Sequence, residues 1–392
     1  MSDDVSSSCE LESLPSELIV RIFSFVPINQ IIHKAGHLSK TLHGLCNSRE
    51  LWRSVELSNV QLPLHIFQRI ILNRPIDLIF KNVEFNIIPA SLWADLIETV
   101  GPKLRTFVLT QCQNVNQNQI LFDILSHAGK SLKTIKLYSS NSVENHIDFR
   151  VKNGHITSLR QLNLKKIKLS QTGFLYISEL IRHNRKLYSV DFEGTYPIKS
   201  IAQDLVESIT HVNCLKYLNL NNCTSVPEDQ LKSCLKKHTA TIEKLQLRNI
   251  QITNNLLPYI LSLHKLTKLD LSQVQSVNDE FLQRLGQVGV NLRKLKINGC
   301  SVSSAGIRDI ASVPLTHLFI AETHIDKYTL PLLVKQCQSL EVLDISHNYI
   351  ENMVENFAKF LSQMNLLRRV VLYGYESLVI ELTKSAKIEA IY

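Results

Sequence analysis

Glycine and proline, the residues that most often interrupt helices and strands, are scarce in this sequence. Its 392 residues include only 12 glycines and 11 prolines, which argues against long disordered or collagen-like tracts, because such tracts are rich in these residues. Hydrophobic residues make up 44% of the chain and charged residues 20%, which is ordinary for a folded protein. The length suffices for two or three common domains or for one long repeat array.

Targeting and membrane-spanning segments are also missing from the sequence. The start, Met1 to Glu12, has neither the basic region nor the apolar stretch of a signal peptide. No run approaches the roughly 20 apolar residues that a membrane helix needs. We therefore expect a protein of the nucleus and cytoplasm, where its eight cysteines stay reduced.

The motifs of common enzymes and metal sites do not occur. We find no GxxxxGK[ST], HExxH or GxSxG motif and no glycine-rich dinucleotide loop. The 14 histidines are scattered, no CxxC pair exists, and no cysteine and histidine cluster has zinc spacing. The sequence predicts a protein that is not an enzyme and holds no metal and no cofactor.

The net charge of +8 is spread along the chain. No block of five or more basic residues occurs, so the sequence has no basic tail. Apart from Tyr217 and Phe319, no aromatic residues interleave with basic ones at base-stacking spacing. We expect no membrane and no nucleic-acid partner, and the charge then indicates either a solvated surface or an acidic protein partner.

One apolar pattern recurs along most of the chain: an apolar residue, two others, an apolar residue, one other, an apolar residue. Eleven copies occur, 23 to 28 residues apart, beginning at Leu104, Leu132, Leu159, Leu187, Leu215, Ile242, Leu266, Leu292, Leu315, Leu340 and Leu367. This spacing lies within the window of leucine-rich repeats. Helical periodicity between the copies, as in residues 171–183, predicts an α/β solenoid with parallel strands on its concave face and helices on its convex face. Weaker copies precede the array at residues 52–57 and 76–80.

The third position after each copy supports the repeat assignment. It holds Cys112, Cys223 and Cys300, and Asn348 in a later copy. Leucine-rich repeats place Asn or Cys at this position, where the side chain can satisfy the turning backbone. We therefore expect structural roles for these cysteines.

A separate helical pattern precedes the repeats. Pro15 stands at a helix start with Glu17 in the first turn, and Pro27 ends the segment. Leu18, Ile22 and Phe25 recur at helical spacing. Two further short helices are predicted near residues 29–35 and 39–46. Three helices of this size bury too little surface to be stable alone, so they need the repeats or a partner.

This segment resembles the F-box family. The residues that carry the resemblance are Leu14-Pro15-Ser16-Glu17-Leu18, then Ile22-Phe23-Ser24, and the closing Leu51-Trp52; the sequence departs from the family at Leu42, where the family has an aromatic residue. With repeats following at once, the chain looks like the F-box/leucine-rich-repeat subclass. Membership would imply a substrate receptor of a cullin-RING (SCF) ubiquitin ligase, with a Skp-type adaptor joining it to the cullin and RING subunits.

The resemblance implies an adaptor-binding set: Leu14, Pro15, Leu18, Ile22, Phe23, Leu42, Leu51 and Trp52. It also allows for an accessory protein at the substrate site. Two alternatives stay open. The helices could form a cap that seals the first repeat, and the whole chain could be a non-ligase leucine-rich-repeat scaffold or inhibitor.

A substrate site is predicted on the concave strand face, where the residues between the apolar ones point. Repeats six to eight carry a basic strip there, followed by an aromatic residue, and the candidate substrate-binding residues are Lys244, Arg248, Lys268, Lys294, Lys296 and Phe319. Such a strip suits an acidic or phosphorylated protein segment. The alternative is a solvated sheet face.

The predicted organisation follows from these patterns. It comprises a disordered N-terminal tail at 1–12, a three-helix F-box at 13–56, a linker with degenerate first repeats at 57–103, leucine-rich repeats at 104–375 and a C-terminal cap at 376–392.

Overall fold

The computed structural model describes most of the chain as two compact units. The described residues are 11–34, 39–85, 88–138, 156–195, 197–288, 291–326, 328–348, 361, 363–374 and 389–391. The first unit is Met1–Ser170 and the second is Gln171–Tyr392. The sequence gives no sign of this division, because the repeat pattern continues through it. No described helix is long and apolar enough to cross a membrane.

The first unit begins with three short helices: α1 (Ser16–Phe23), α2 (Ile28–His33) and α3 (Lys40–Leu45). Pro15 precedes α1, as the sequence predicts, and Pro27, predicted to end the first helix, directly precedes α2. Proline suits these positions because it presets the backbone angle and lacks only an N–H that a helix start leaves unpaired. Ser39 caps α3 by accepting the Leu42 backbone N–H at 3.1 Å. The three predicted helices are therefore present, each with slightly shorter bounds.

Parallel strands and helices of the repeats follow in the same unit. The elements are β1 (Ser54–Ser58), β2 (Gln61–Leu62), α4 (Leu64–Asn73), β3 (Asp77–Lys81), β4 (Glu84–Phe85), α5 (Ala90–Val100), β5 (Thr106–Thr110), α6 (Gln117–His127), β6 (Thr134–Tyr138) and β7 (Gln161–Lys165). Strands β1, β3, β5, β6 and β7 pair in this order, and β2 pairs with β4. The stretch predicted as a linker with degenerate first repeats, 57–103, contains α4, β3, β4 and α5.

Aromatic residues fill the core of the first repeats. Phe67, Phe85 and Trp93 meet edge to face, with ring centroids 4.7 Å apart for Phe67 and Trp93 and 5.0 Å for Phe85 and Trp93. Edge-to-face geometry is favourable because the positive rim of one ring meets the negative face of the next. These residues come from α4, β4 and α5, so they join two successive repeats into one core.

The second unit continues the alternation of helix and strand. Its elements are α7 (Gln171–His183), β8 (Ser189–Asp191), α8 (Lys199–Thr210), β9 (Tyr217–Asn219), α9 (Glu228–Lys237), β10 (Lys244–Gln246), α10 (Leu257–Leu261), β11 (Lys268–Asp270), α11 (Asp279–Val288), β12 (Lys294–Lys296), α12 (Ser304–Asp309), β13 (His317–Phe319), α13 (Thr329–Gln336), β14 (Val342–Asp344), β15 (Arg369–Val371) and β16 (Glu389–Ile391). Strands β8 to β16 pair in chain order, all parallel. The predicted α/β repeat architecture is confirmed.

The repeated leucine positions form the core of the second unit, as predicted. Leu218, Leu245, Leu269 and Leu295 stand opposite one another on successive strands, and each is at most 1% exposed. Each repeat thus covers the apolar face of its neighbour, which is why a single repeat is not stable alone.

The cysteines at the third position after the pattern are structural, as the sequence predicts. The buried thiols of Cys223 and Cys300 donate to the carbonyl oxygens of Phe192 at 3.1 Å and Leu271 at 3.2 Å in the preceding repeat. The Asn348 side-chain amide donates to the Ile320 carbonyl at 2.8 Å. These contacts give the buried backbone carbonyls of one repeat a further hydrogen-bond donor from the next repeat.

The residue just before that position adopts a left-handed backbone in many repeats, which the sequence pattern did not reveal. Its φ is +61° at Asn222, +54° at Asn249, +60° at Gln273 and +66° at Gly299. This conformation turns the chain out of each strand. Because Asn and Gly adopt it at the lowest energetic cost, their recurrence here has a physical reason.

Two terminal predictions fall largely outside the described residues. Of the tail predicted at 1–12, only Leu11 and Glu12 are described, in a 3-10 turn (Leu11–Ser13). Of the predicted cap at 376–392, only strand β16 is described, and it pairs with β15.

Candidate functional site

Helix α1 and the turn after it expose an unusual amount of apolar surface. Leu18 is 48% exposed, Ile22 is 42% exposed and Phe25 is 83% exposed. Ile19, Val20 and Phe23 point to the other side and are buried. Apolar side chains gathered on one exposed face mark an interaction surface. We call Leu18, Ile22 and Phe25 the apolar ridge.

The structure divides the predicted adaptor-binding residues into two groups. Pro15, Leu18 and Ile22 are exposed and Leu14 is partly exposed. The buried group is Phe23, Leu42, Leu51 and Trp52, none of which is more than 7% exposed. In the structure this second group holds the helices together and does not face solvent. That any of these residues contacts an adaptor stays a prediction. Phe25 was not among them, although it shares the helical spacing of Leu18 and Ile22.

Trp52 fastens the end of the helical segment to the first repeat. Its buried indole N–H donates to the Cys46 carbonyl at 2.8 Å, and the Arg69 guanidinium lies 5.0 Å from the centre of its ring. Arg69 belongs to α4, the helix of the first repeat, and also donates to the Asn47 side chain. Cation–π and hydrogen-bond contacts thus join the two segments within the first unit.

The second unit brings the predicted basic strip together. Lys244, Lys268 and Lys294 stand at the same register position on β10, β11 and β12. Adjacent strands lie about 4.8 Å apart, so three ammonium groups share a short stretch of the polar strand face. Lys296 lies two residues along β12, opposite Phe319 on β13. The sequence therefore predicted which residues would be neighbours on this face.

Two of these lysines contact the ring of Phe319. The ammonium nitrogens of Lys294 and Lys296 lie 4.9 and 4.8 Å from the centre of its ring. Partial burial lowers the pKa of the Lys294 ammonium, and the neighbouring charges of Lys296 and Lys268 lower it further. The pKa of His317 is also lowered, first by burial and then by Lys294. A bound anion would relieve this crowding of positive charge.

Two further charged residues, Asp270 and Arg248, lie on or beside this face. Asp270 is 6% exposed and accepts the Ser272 backbone N–H at 3.1 Å, so its carboxylate is turned inward. Arg248 lies beyond the end of β10, where its Nε–H donates to Gln273 Oε1 at 3.2 Å. Arg248 is therefore at the margin of the strip, and the lysines with Phe319 form its centre.

Metal-ligating side chains do not cluster within the described ranges. No group of three or more His, Cys, Asp or Glu side chains there could hold a metal ion. The two candidate sites consist of apolar and cationic side chains.

Comparison with known proteins identifies the helical segment. The F-box-like family matches residues 11–58, which cover α1 to α3 and β1. A comparison with curated proteins finds no match.

The solved structures that resemble this chain include two that cover most of it. Rad7, in the crystal structure of the Rad7 and Elc1 complex in yeast, aligns with a TM-score of 0.53 and 18% identity over 87% of this chain and 90% of that chain. At this identity the likeness concerns the fold alone. An internalin from Listeria monocytogenes aligns with a TM-score of 0.44 and 15% identity over 88% of this chain and 96% of that chain. The chain thus has an F-box-like domain at its N-terminus, followed by parallel-stranded repeats of the leucine-rich type.

Proposed function

We propose that this chain is the substrate-recognition subunit of an SCF-type cullin-RING ubiquitin ligase. In this proposal the F-box-like domain binds a Skp-type adaptor, which carries the cullin and RING subunits. The polar strand face of the second unit holds a protein substrate, whose acidic or phosphorylated segment contacts the lysines around Phe319. Ubiquitin transfer belongs to the RING partner and its conjugating enzyme, and this chain supplies proximity. The finer likeness in layout to the S-phase kinase-associated F-box protein, and a place in nucleus and cytoplasm, belong to the same proposal.

The observation that carries the proposal is the apolar ridge within the family match. Leu18, Ile22 and Phe25 are exposed on a domain whose family binds adaptors of this type. A partner that covers exposed apolar side chains of this size removes them from water, which favours binding. Rad7 was likewise solved in a complex, with Elc1, and an adaptor partner for this chain is consistent with that arrangement.

Adaptor capture tests the proposal directly. The purified Leu18→Ala/Ile22→Ala variant should bind a Skp-type adaptor about 30- to 1,000-fold more weakly than the parent, because residues central to an interface contribute about 1–2 kcal/mol each. Leu72→Ala is the matched control, since Leu72 is 78% exposed but lies on α4, outside the ridge. The control should bind like the parent.

Two outcomes of this experiment would contradict the proposal. If the folded parent captures a protein partner from cells without any adaptor or cullin, the chain is a non-ligase scaffold or inhibitor. If the substitutions leave adaptor capture unchanged, the ridge is not the docking surface.

A further inference from the structure

Positive charge in the second unit collects at one edge of its sheet. We call this the basic edge and define it by Lys186, Lys216, Lys236, Lys237, Lys265 and Arg293. These residues lie at helix ends or in the loops that lead into β8 to β12. Successive loops lie side by side: the Asn213 backbone N–H donates to the Arg185 carbonyl at 2.8 Å, and that of His264 to the Thr239 carbonyl at 3.2 Å. Residues that are far apart in sequence therefore form one row.

Most of this charge is exposed and unpaired. Lys216 forms a salt bridge with Glu243 at 2.7 Å, and Arg293 donates to the Pro314 carbonyl at 2.8 Å. The side chains of Lys186, Lys236, Lys237 and Lys265 are exposed, and within the described ranges none of the four forms a salt bridge. Two carboxylates lie within this edge, Glu207 in the last turn of α8 and Glu243 before β10, and Asp309 and Glu341 follow before β13 and β14.

The opposite edge of the same unit is acidic. Glu228 and Asp229 occupy the first turn of α9, and Asp279 and Glu280 the first turn of α11. Acidic residues at helix starts and basic residues at helix ends complement the helix dipole. That effect accounts for Lys236 and Lys237 in the last turn of α9. It does not account for Lys186 and Lys265, which lie in loops, so the basic edge exceeds what helix stability requires.

The length and chemistry of the edge indicate the kind of partner. From β8 to β12 it spans four strand spacings, or about 19 Å. The loops before β8 to β11 contain hydroxyl and amide side chains among the lysines. Of the exposed large apolar residues of the described chain, a single valine, Val288 at the end of α11, lies at this edge, and no aromatic residue among them does. Protein interfaces depend on buried apolar or aromatic anchors. Rows of cationic and hydrogen-bonding groups without such anchors are typical of phosphate-backbone contacts.

We propose that the basic edge of the second unit binds the sugar-phosphate backbone of nucleic acid, independently of base sequence. Duplex DNA carries one negative charge per about 1.7 Å of its axis, so a stretch as long as the edge offers about 11 charges. The proposal goes beyond the substrate-receptor function and does not depend on it. It also revises the expectation, drawn from the lack of aromatic residues interleaved with basic ones, that no nucleic acid is bound.

Fluorescence anisotropy with a labelled 20-base-pair DNA duplex of mixed sequence tests the proposal, with the corresponding single strand as a second probe. The parent full-length chain should bind in low salt. Because four unpaired lysines face the backbone, log K against log salt should fall with a slope of about −3 to −4. The edge variant Lys186→Glu/Lys236→Glu/Lys265→Glu should bind at least about tenfold more weakly and with a shallower slope.

A charge-matched control separates placement from net charge. Lys34→Glu/Lys40→Glu/Lys199→Glu changes the net charge by the same amount at exposed positions away from the edge, and should retain most of the binding. Equal losses in both variants would show that only net charge matters and would overturn the proposal. So would the absence of duplex and single-strand binding, or preferential binding of a poly-glutamate peptide, which would identify an acidic protein as the partner.

The edge variant also keeps this inference apart from the ligase proposal. Its ridge is intact, so it should capture the Skp-type adaptor like the parent while losing the duplex. Thermal unfolding near that of the parent confirms that it is folded, since exposed substitutions of this kind change stability by about 0.5 kcal/mol or less.

Discussion

Helices α1 and α9 both bury apolar side chains on one face, but they differ in the side chains that they expose to solvent. In α9, Leu231 and Leu235 are buried while Lys236 and Lys237 face solvent. In α1, Ile19 and Phe23 are buried, yet Leu18 and Ile22 on the other side are also apolar and exposed. A repeat helix has one apolar face because neighbouring repeats cover that face alone. A helix with apolar residues on two sides needs a second cover, and in α1 that cover is the adaptor we propose.

Truncation of Trp52 should produce the largest effect and tests the buried side of this comparison. Trp52→Ala removes a fully buried ring and its hydrogen bond to Cys46. We expect a loss of about 3–5 kcal/mol in the free energy of unfolding, measured by chemical denaturation. If instead stability is unchanged and only adaptor binding falls, Trp52 is an exposed contact residue, as the family resemblance alone suggested.

A substitution at Phe25 tests the exposed apolar ridge. Phe25→Ala should leave the free energy of unfolding within about 0.5 kcal/mol of the parent, because the ring is 83% exposed. Adaptor affinity measured by calorimetry should fall by about 1–2 kcal/mol, or roughly 5- to 30-fold. Tyr328→Ala is the aromatic control, since Tyr328 is 67% exposed in the second unit. Equal affinity in all three proteins would remove Phe25 from the ridge.

His238 gives the repeat region a pH dependence. It is 1% exposed at the end of α9, and its Nε2 lies 3.2 Å from the Ile209 carbonyl oxygen. Burial lowers the pKa of His238 below its ordinary value of 6.5, and Lys237 lowers it further.

The unfolded chain therefore binds a proton at His238 more readily than the folded chain does. The associated stability is fully present above pH 6.5 and is lost as the pH falls through the lowered folded pKa. Urea unfolding between pH 7.5 and pH 5 should show this loss in the parent. In His238→Gln the loss should be smaller; an identical pH profile would assign the dependence to other groups.

The smallest effect concerns the left-handed turn that follows the strand in many repeats. Asn249 has a φ of +54°, and its side-chain amide donates to Asn222 Oδ1 at 3.1 Å. Asn249→Ala should cost about 1 kcal/mol in the free energy of unfolding, because alanine tolerates this backbone poorly. Asn249→Gly should be closer to neutral. Equal losses in the two variants would show that the side-chain contact, not the backbone conformation, is what matters.

The sequence predicted the repeat fold well because its signal is local and repeated. The spacing of Leu218, Leu245, Leu269 and Leu295 sets both the strands and their register. The roles of Cys223 and Cys300 follow from the same period. The left-handed position could not be predicted from the sequence, because Asn, Gly, Gln, Glu and His all occupy it and no single residue type marks it.

The candidate sites were less predictable, because exposure depends on packing rather than on pattern. The resemblance grouped Phe23, Leu51 and Trp52 with Leu18 and Ile22, but packing buries the first three. The basic edge was invisible in the sequence, since Lys186, Lys236 and Lys265 lie in different repeats and meet only when the loops align. The strip around Phe319 was predictable because strand register places equivalent residues side by side.

Hydrogen–deuterium exchange on the purified chain, with and without a Skp-type adaptor, tests the central claim most directly. The account predicts that adaptor binding slows exchange in the peptide from Ser16 to Val26, while exchange in the strands from Lys244 to Phe319 stays unchanged. An adaptor that binds without protecting the first peptide, or that does not bind the folded chain, would contradict it.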